Sequence, residues 1–152
     1  MTDKLNNTPD IYNLFIEKVV DNQIIYTLLD TEEIAMCQSS YFQVDKFQVP
    51  VFLFWSDQSK ADACRNNEWK TFQVEAIPLG EFMEIWCFGL LIDNAIVGLD
   101  FDTQLIGFEE KPIVLVFDLL EKIKEKNKSI SFKKFNSVQD FDKYLNSLIF
   151  ED

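Results

Sequence analysis

Apolar residues along this chain switch repeatedly between helical spacing and strand alternation, and the switches mark its elements. Ile11, Leu14, Phe15 and Val19 fall at i, i+3, i+4 and i+8. This helical stripe opens at Thr8-Pro9, a cap followed by proline at the first helical position, and ends near Asp21-Asn22. Residues 1–8 are polar and are expected to be flexible. QIIYTLL (23–29), rich in branched and aromatic side chains, is followed by the turn-like DTE and by EIAMCQ (33–38), which together predict a hairpin. SSYFQVDKF (39–47) keeps no period, while QVPVFLFW (48–55) predicts a strand whose Pro50 asks for an edge position or a bulge near its start.

Ser56 then caps a short helix carrying Ala61 and Cys64 at i, i+3, which fades at Asn66-Asn67. TFQVEAIP (71–78) alternates Phe72, Val74 and Ala76 against polar neighbours, the pattern of a half-buried strand. LGEFMEIWCFGLLIDN (79–94) returns to helical spacing at Phe82, Ile85, Trp86 and Leu90, and the Asp93-Asn94 turn leads into the strand AIVGLDF (95–101). Gly98 within that strand marks a bulge or a close backbone approach. After a turn and short strand in TQLIGFEEK (103–111), Pro112 opens a helix with Ile113, Val116, Phe117, Leu120 and Ile123 on one face and lysines at its end. SISFKKF (129–135) alternates like an edge strand guarded by lysines, and Ser137 with Asp140 opens a last helix bearing Val138, Phe141, Leu145 and Leu148.

This order predicts one α+β domain over 1–152, built as a mixed, mostly antiparallel sheet with helices packed on one face. A doubly wound parallel sheet is the alternative. At 152 residues and 47% apolar composition the chain buries one sizeable core and has no room for two. The three tryptophans and fifteen phenylalanines, at strand and helix spacing, are expected in that core, with Trp55, Phe82, Trp86 and Cys64 all structural.

Chemistry is narrowed most by what is missing. The chain contains no histidine, which removes Ser–His and Cys–His nucleophile pairs, His-ligated metals and any imidazole pH switch. Cys37, Cys64 and Cys87 are far apart, form no Cys-x-x-Cys pair and sit in apolar surroundings, so they read as small buried hydrophobes in a reducing compartment. The four glycines are isolated and make no phosphate loop. The first residues, MTDKLNNTPD, lack the basic start and apolar run of a signal peptide, and no stretch is apolar enough to span a membrane, so a cytoplasmic location is expected.

With 26 acidic against 14 basic residues the net charge is -12, a field that repels nucleic acid and anionic membranes and favours encounter with a basic protein. Arg65 is the lone guanidinium, which disfavours phosphate chemistry. The densest acidic group outside a helix is Asp100, Asp102, Glu109 and Glu110, around the turn that follows 95–101. Paired acids can serve as general acid and base or hold a hard cation. An EF-hand counted from Asp100 would need glycine and glutamate where Leu105 and Lys111 stand, so these four are expected to bind a partner and no metal. The DTE turn at Asp30 and Glu32, or the segment 39–47, is the next candidate surface.

PVFLFW (50–55), ADAC (61–64), EW (68–69), IPLGEFMEIW (77–86) and GLLIDNAIVGL (89–99) together resemble a small bacterial family described only as a domain of unknown function. That family shows a strand ending in tryptophan, a helix with a buried cysteine and a Phe-x-x-x-Trp helix. Phe15, Val19 and Val20 fit its opening helix, and the resemblance runs from Ile11 to Ile123, leaving 124–152 as an extension. Cys87-Phe88 and Asn94 stand where the family tends to have Leu-Pro and Asp-Gly. The resemblance implies the fold and a bacterial cytosol; it brings no activity and no cofactor. The expected function is therefore a non-catalytic acidic binding protein, such as an immunity protein that blocks the basic site of a toxin. A structural or regulatory module is the alternative, and a small hydrolase using acidic residues is the third.

Overall fold

The computed structural model describes residues 4–44 and 47–150. Its elements run α1 (Lys4–Asn22), β1 (Ile24–Asp30), β2 (Glu33–Ile34), β3 (Met36–Val44), β4 (Phe47–Trp55) and α2 (Gln58–Ala63). A 3-10 turn (Asn67–Trp69) and β5 (Gln73–Pro78) follow. Next come α3 (Leu79–Glu81), a π-helical turn (Phe82–Trp86), α4 (Cys87–Ile92), β6 (Ile96–Leu99), β7 (Phe108–Glu110), α5 (Pro112–Glu125) and α6 (Val138–Phe150). No described helix is long and apolar enough to cross a membrane.

The chain is α+β with a mixed, mostly antiparallel sheet. β1 pairs β5 along one side, from Ile24 with Pro78 to Leu29 with Gln73, and β2 and β4 along the other. The one parallel pair is β4 with β6, from Val51 with Ile96 to Phe54 with Leu99, and β7 closes the sheet beyond β6. Ala35, between β2 and β3, joins two neighbours: its amide donates to the Leu28 carbonyl and its carbonyl accepts from Leu53. Pro50 stands where expected, beside a register shift between Gln38 and Gln43, because a residue without an amide proton cannot continue a regular ladder.

Alternation along β4 divides the core. Phe54, with Ile25, Ile77, Val97 and Leu99, faces α1, α3, α4, α5 and α6. Leu53 and Trp55, with Leu28, Val51 and Ile96, face α2 and the 3-10 turn through Ala61, Cys64 and Trp69. Gly98 is required for close approach: a Cβ there would lie 2.6 Å from Leu53 and 2.8 Å from Val51.

Several expectations change. α1 already runs from Lys4, because a helix nucleated by the buried 15–20 face propagates with one bond per residue; residues 1–3 lie outside those described. Phe15, Ile16, Val19 and Val20 make its buried stripe, while Leu14 is 67% exposed. The segment 39–47 is largely strand, with residues 45–46 outside those described. Asp57, whose carboxylate accepts from the Ser59 amide, caps α2 in place of Ser56. In β5 the buried residue is Ile77, and Ala76 is exposed. The π turn inserts a residue into the helical period, so Met83 and Cys87 join Phe82 and Leu90 inside, Ile85 faces out and Trp86 is half-buried. Trp55, Phe82 and Cys64 are buried as expected.

The largest departure is 129–135, expected as a strand and found without a ladder. Glu84, 4% exposed inside the π turn, accepts the amides of Lys133 at 2.5 Å and Lys134 at 2.8 Å, so a carboxylate replaces the sheet partner that this backbone would otherwise need. Phe132 and Phe135 then pack on Phe141 of α6. Gly80 permits the crossing, since a Cβ there would fall 1.9 Å from the Ser131 carbonyl oxygen.

Removing the carboxylate leaves two amides without their acceptor. Glu84→Ala is expected to cost about 2–4 kcal/mol by urea unfolding, with faster amide exchange at Lys133 and Lys134, and Glu84→Gln to cost less. An unchanged unfolding midpoint for Glu84→Ala would show that the segment is held by its phenylalanines alone.

Candidate functional site

The chain leaves β6 at Asp100 in the left-handed conformation (φ 52°), which a short polar side chain tolerates best among residues other than glycine. The Asp100 amide donates to the Phe54 carbonyl at 2.9 Å. Its carboxylate, with the side chain 5% exposed, accepts the Ser56 amide and hydroxyl, each at 2.8 Å, and stands 3.5 Å from Lys60 Nζ. Ser56, expected as a helix cap, thus ties the end of β4 to the end of β6. Two possible caps sat side by side at Ser56-Asp57, and only one could be used; that redundancy was the available signal.

The other three carboxylates diverge. Asp102 is exposed and closes its own loop, accepting the amides of Gln104 at 2.8 Å and Ile106 at 3.1 Å. Glu109 accepts the Ser39 hydroxyl at 2.5 Å. Glu110, the next residue of the strand, points to the opposite face, beside Tyr12 of α1 and Asp118 of α5, where the Tyr12 hydroxyl donates to Asp118 and its ring stacks on Phe108. The four residues therefore form no single acidic patch.

Asp100 and Asp102 do share a hollow. A cleft of about 420 Å³ lies between Ile11 of α1, the Lys60, Ala63 and Cys64 side of α2, and the loop 100–107, at the carboxyl ends of the parallel strands β4 and β6. Its floor is fixed by the Phe101 carbonyl, which accepts the Trp55 indole N–H at 2.8 Å and the Cys64 thiol at 3.5 Å. Beyond Lys60 and Asp100 a second hollow of about 340 Å³ continues past Leu14, Glu17, Lys18, Asp21 and Ser56. Lys18 pairs with Asp57 at 2.6 Å, and that ammonium, before the Ser59 bonds, holds the Asp57 carboxyl well below the usual carboxylate range.

The thiols are poor nucleophiles. Burial, then Glu109 and Glu68, pushes Cys37 up to about 11; burial and then Asp102 raise Cys64; burial alone raises Cys87. Among the described residues no three His, Cys, Asp or Glu side chains converge as metal ligands would.

A family model described as "Protein of unknown function (DUF2750)" matches residues 12–119. The match takes in the whole sheet, the cleft apart from Ile11 and most of α5, and leaves out α6 together with the segment held by Glu84. No curated protein and no solved structure matches the chain.

Burial, with Asp118 adding to it, raises the Glu110 carboxyl above its ordinary value of 4.5. An acid whose folded-state value is raised destabilises the fold only where it must ionise, so the penalty is absent below 4.5 and complete above the raised value. Glu110→Gln is therefore expected to raise the melting temperature at neutral pH and to leave it unchanged in acid below that point. A gain that persists in acid would place the effect in packing.

Proposed function

The chain belongs to the DUF2750 family of proteins of unknown function, and we propose that it is a non-catalytic acidic binding protein whose partner is a basic protein surface, of the kind an immunity protein covers on a toxin. The carrying observation is that its charge is divided between the two ends of the sheet. Around the cleft and along α1, five ammoniums (Lys18, Lys60, Lys122, Lys126, Lys128) pair with five carboxylates (Glu17, Asp21, Asp57, Asp100, Glu125). Most of the charge there is met, although exposed Asp10 and Asp102 have no cation within 4 Å among the described residues.

The register of Tyr26 with Trp55 carries β1 away from the cleft, so the β1–β2 turn lies at the opposite end. There Asp30, Glu32 and Glu33 are exposed, with no cation within 4 Å among the described residues. Asp93, exposed just before β6 begins, adds to the same end, and β7 runs towards it with half-buried Glu109 and Glu110. The exposed carboxylates of Asp30, Glu32 and Glu33 raise the local concentration of a cationic surface and orient its approach, an effect on association rate more than on dissociation. Asp100, with its internal bonds, holds the fold.

The test replaces Asp30, Glu32 and Glu33 with their amides and measures association with the basic partner captured by the wild-type protein. The on-rate is expected to fall about tenfold at low ionic strength, with the gap closing in high salt and unfolding unchanged. Capture of acidic partners only, or an on-rate indifferent to the three substitutions, would end this reading.

A further inference from the structure

We propose that the cleft at the carboxyl ends of β4 and β6 is a binding site for a small apolar carboxylate, with the ligand's body on Ile11, Ala63, Phe101 and Ile106 and its carboxylate on Lys60. At about 420 Å³ the hollow has the volume of an ordinary small-molecule pocket, and it lies where a parallel strand pair opens a crevice at its carboxyl ends.

Its chemistry selects the charge of the ligand. Both carboxylates in the lining are already engaged: Asp100 by Ser56, and Asp102 by the Gln104 and Ile106 amides. Lys60 is the lone cation among the described lining residues. Its side chain is 51% exposed, and its ammonium meets Asp100 only at 3.5 Å, so its remaining N–H groups are open to an acceptor. Asp100 keeps the lysine stem at the cleft mouth while its own charge is met by the Ser56 donors. The floor cannot retreat, because Trp55 and Cys64 both hold the Phe101 carbonyl and a Cβ on Gly107 would lie 2.4 Å from the Phe101 ring.

The probe is decanoate, with decanol and decylammonium as chain-matched controls, followed by amide chemical shifts and titration calorimetry on the full chain. Decanoate is expected to bind one to one below its micellar range, with saturating shifts in 60–64 and 100–107. Decanol and the Lys60→Met variant should each bind at least about tenfold more weakly, the loss of one charge-assisted contact. Ala63→Trp, at an exposed position on the cleft wall, should remove binding while keeping the wild-type melting temperature; it serves as the second variant if Lys60→Met perturbs the fold. Tighter binding of decylammonium, equal binding of decanol, shifts spread over the surface without saturation, or full affinity in Ala63→Trp would each overturn the proposal. None of these outcomes depends on the acidic pole or on a protein partner, so the two readings fail separately.

Discussion

The parallel pairing of β4 with β6 is the constraint on which the rest of the molecule depends. Two strands joined by a short turn can only run antiparallel; to pair Val51–Phe54 with Ile96–Leu99 in the same direction the chain must travel from one end of the sheet back to the other between them. That return, residues 56–95, contains α2, β5 and the helical run 79–92, and so supplies covers for both faces of the sheet. β4 is consequently buried on both sides, which is why it reads as an unbroken apolar run, and Gly98 lies where Leu53 and Val51 press on β6. The same pairing brings Ser56 and Asp100 together at the carboxyl ends and leaves the cleft between α2 and the loop after β6.

What was legible in the sequence follows from which forces are local. The turn after β1 and Pro50 beside its bulge arise from neighbouring residues and appear as expected, and α5 buries Val116, Leu120 and Ile123 of its expected stripe together with Leu115 and Leu119. The errors arise where a distant group takes over a local role. In 129–135 the alternation of Ile130, Phe132 and lysines is real, yet its amides are met by Glu84, 49 residues away, instead of by a strand. The stripe at Ile85 and Trp86 slipped because a π turn has no signature in a period counted at 3.6 residues. Leu14 belongs to the expected stripe of α1 but looks onto the groove, since the sheet meets that helix one residue further round.

The candidate site was legible as composition and illegible as geometry. Four carboxylates within eleven residues looked like one surface, but β7 sends Glu109 and Glu110 to opposite faces, and Asp100 turns inward to Ser56. Nothing in a single sequence tells which acids meet lysines from other elements, because Lys122, Lys126 and Lys128 reach Glu17 and Asp21 only after α5 packs beside α1. Asp30, Glu32 and Glu33 therefore form a run of acids without lysine partners at one pole, while ion pairs and two hollows mark the opposite one.

That division of charge is the central claim, and the near-surface potential at each backbone amide measures it directly. Paramagnetic relaxation of amide protons by a cationic and by an anionic nitroxide of the same size, taken as a ratio at each residue, reads the potential without any partner. Strong enrichment of the cationic probe is expected at residues 30–33, with a ratio near that of neutral surface at residues 17–21, 60 and 122–128. A uniformly negative potential over both ends would contradict it.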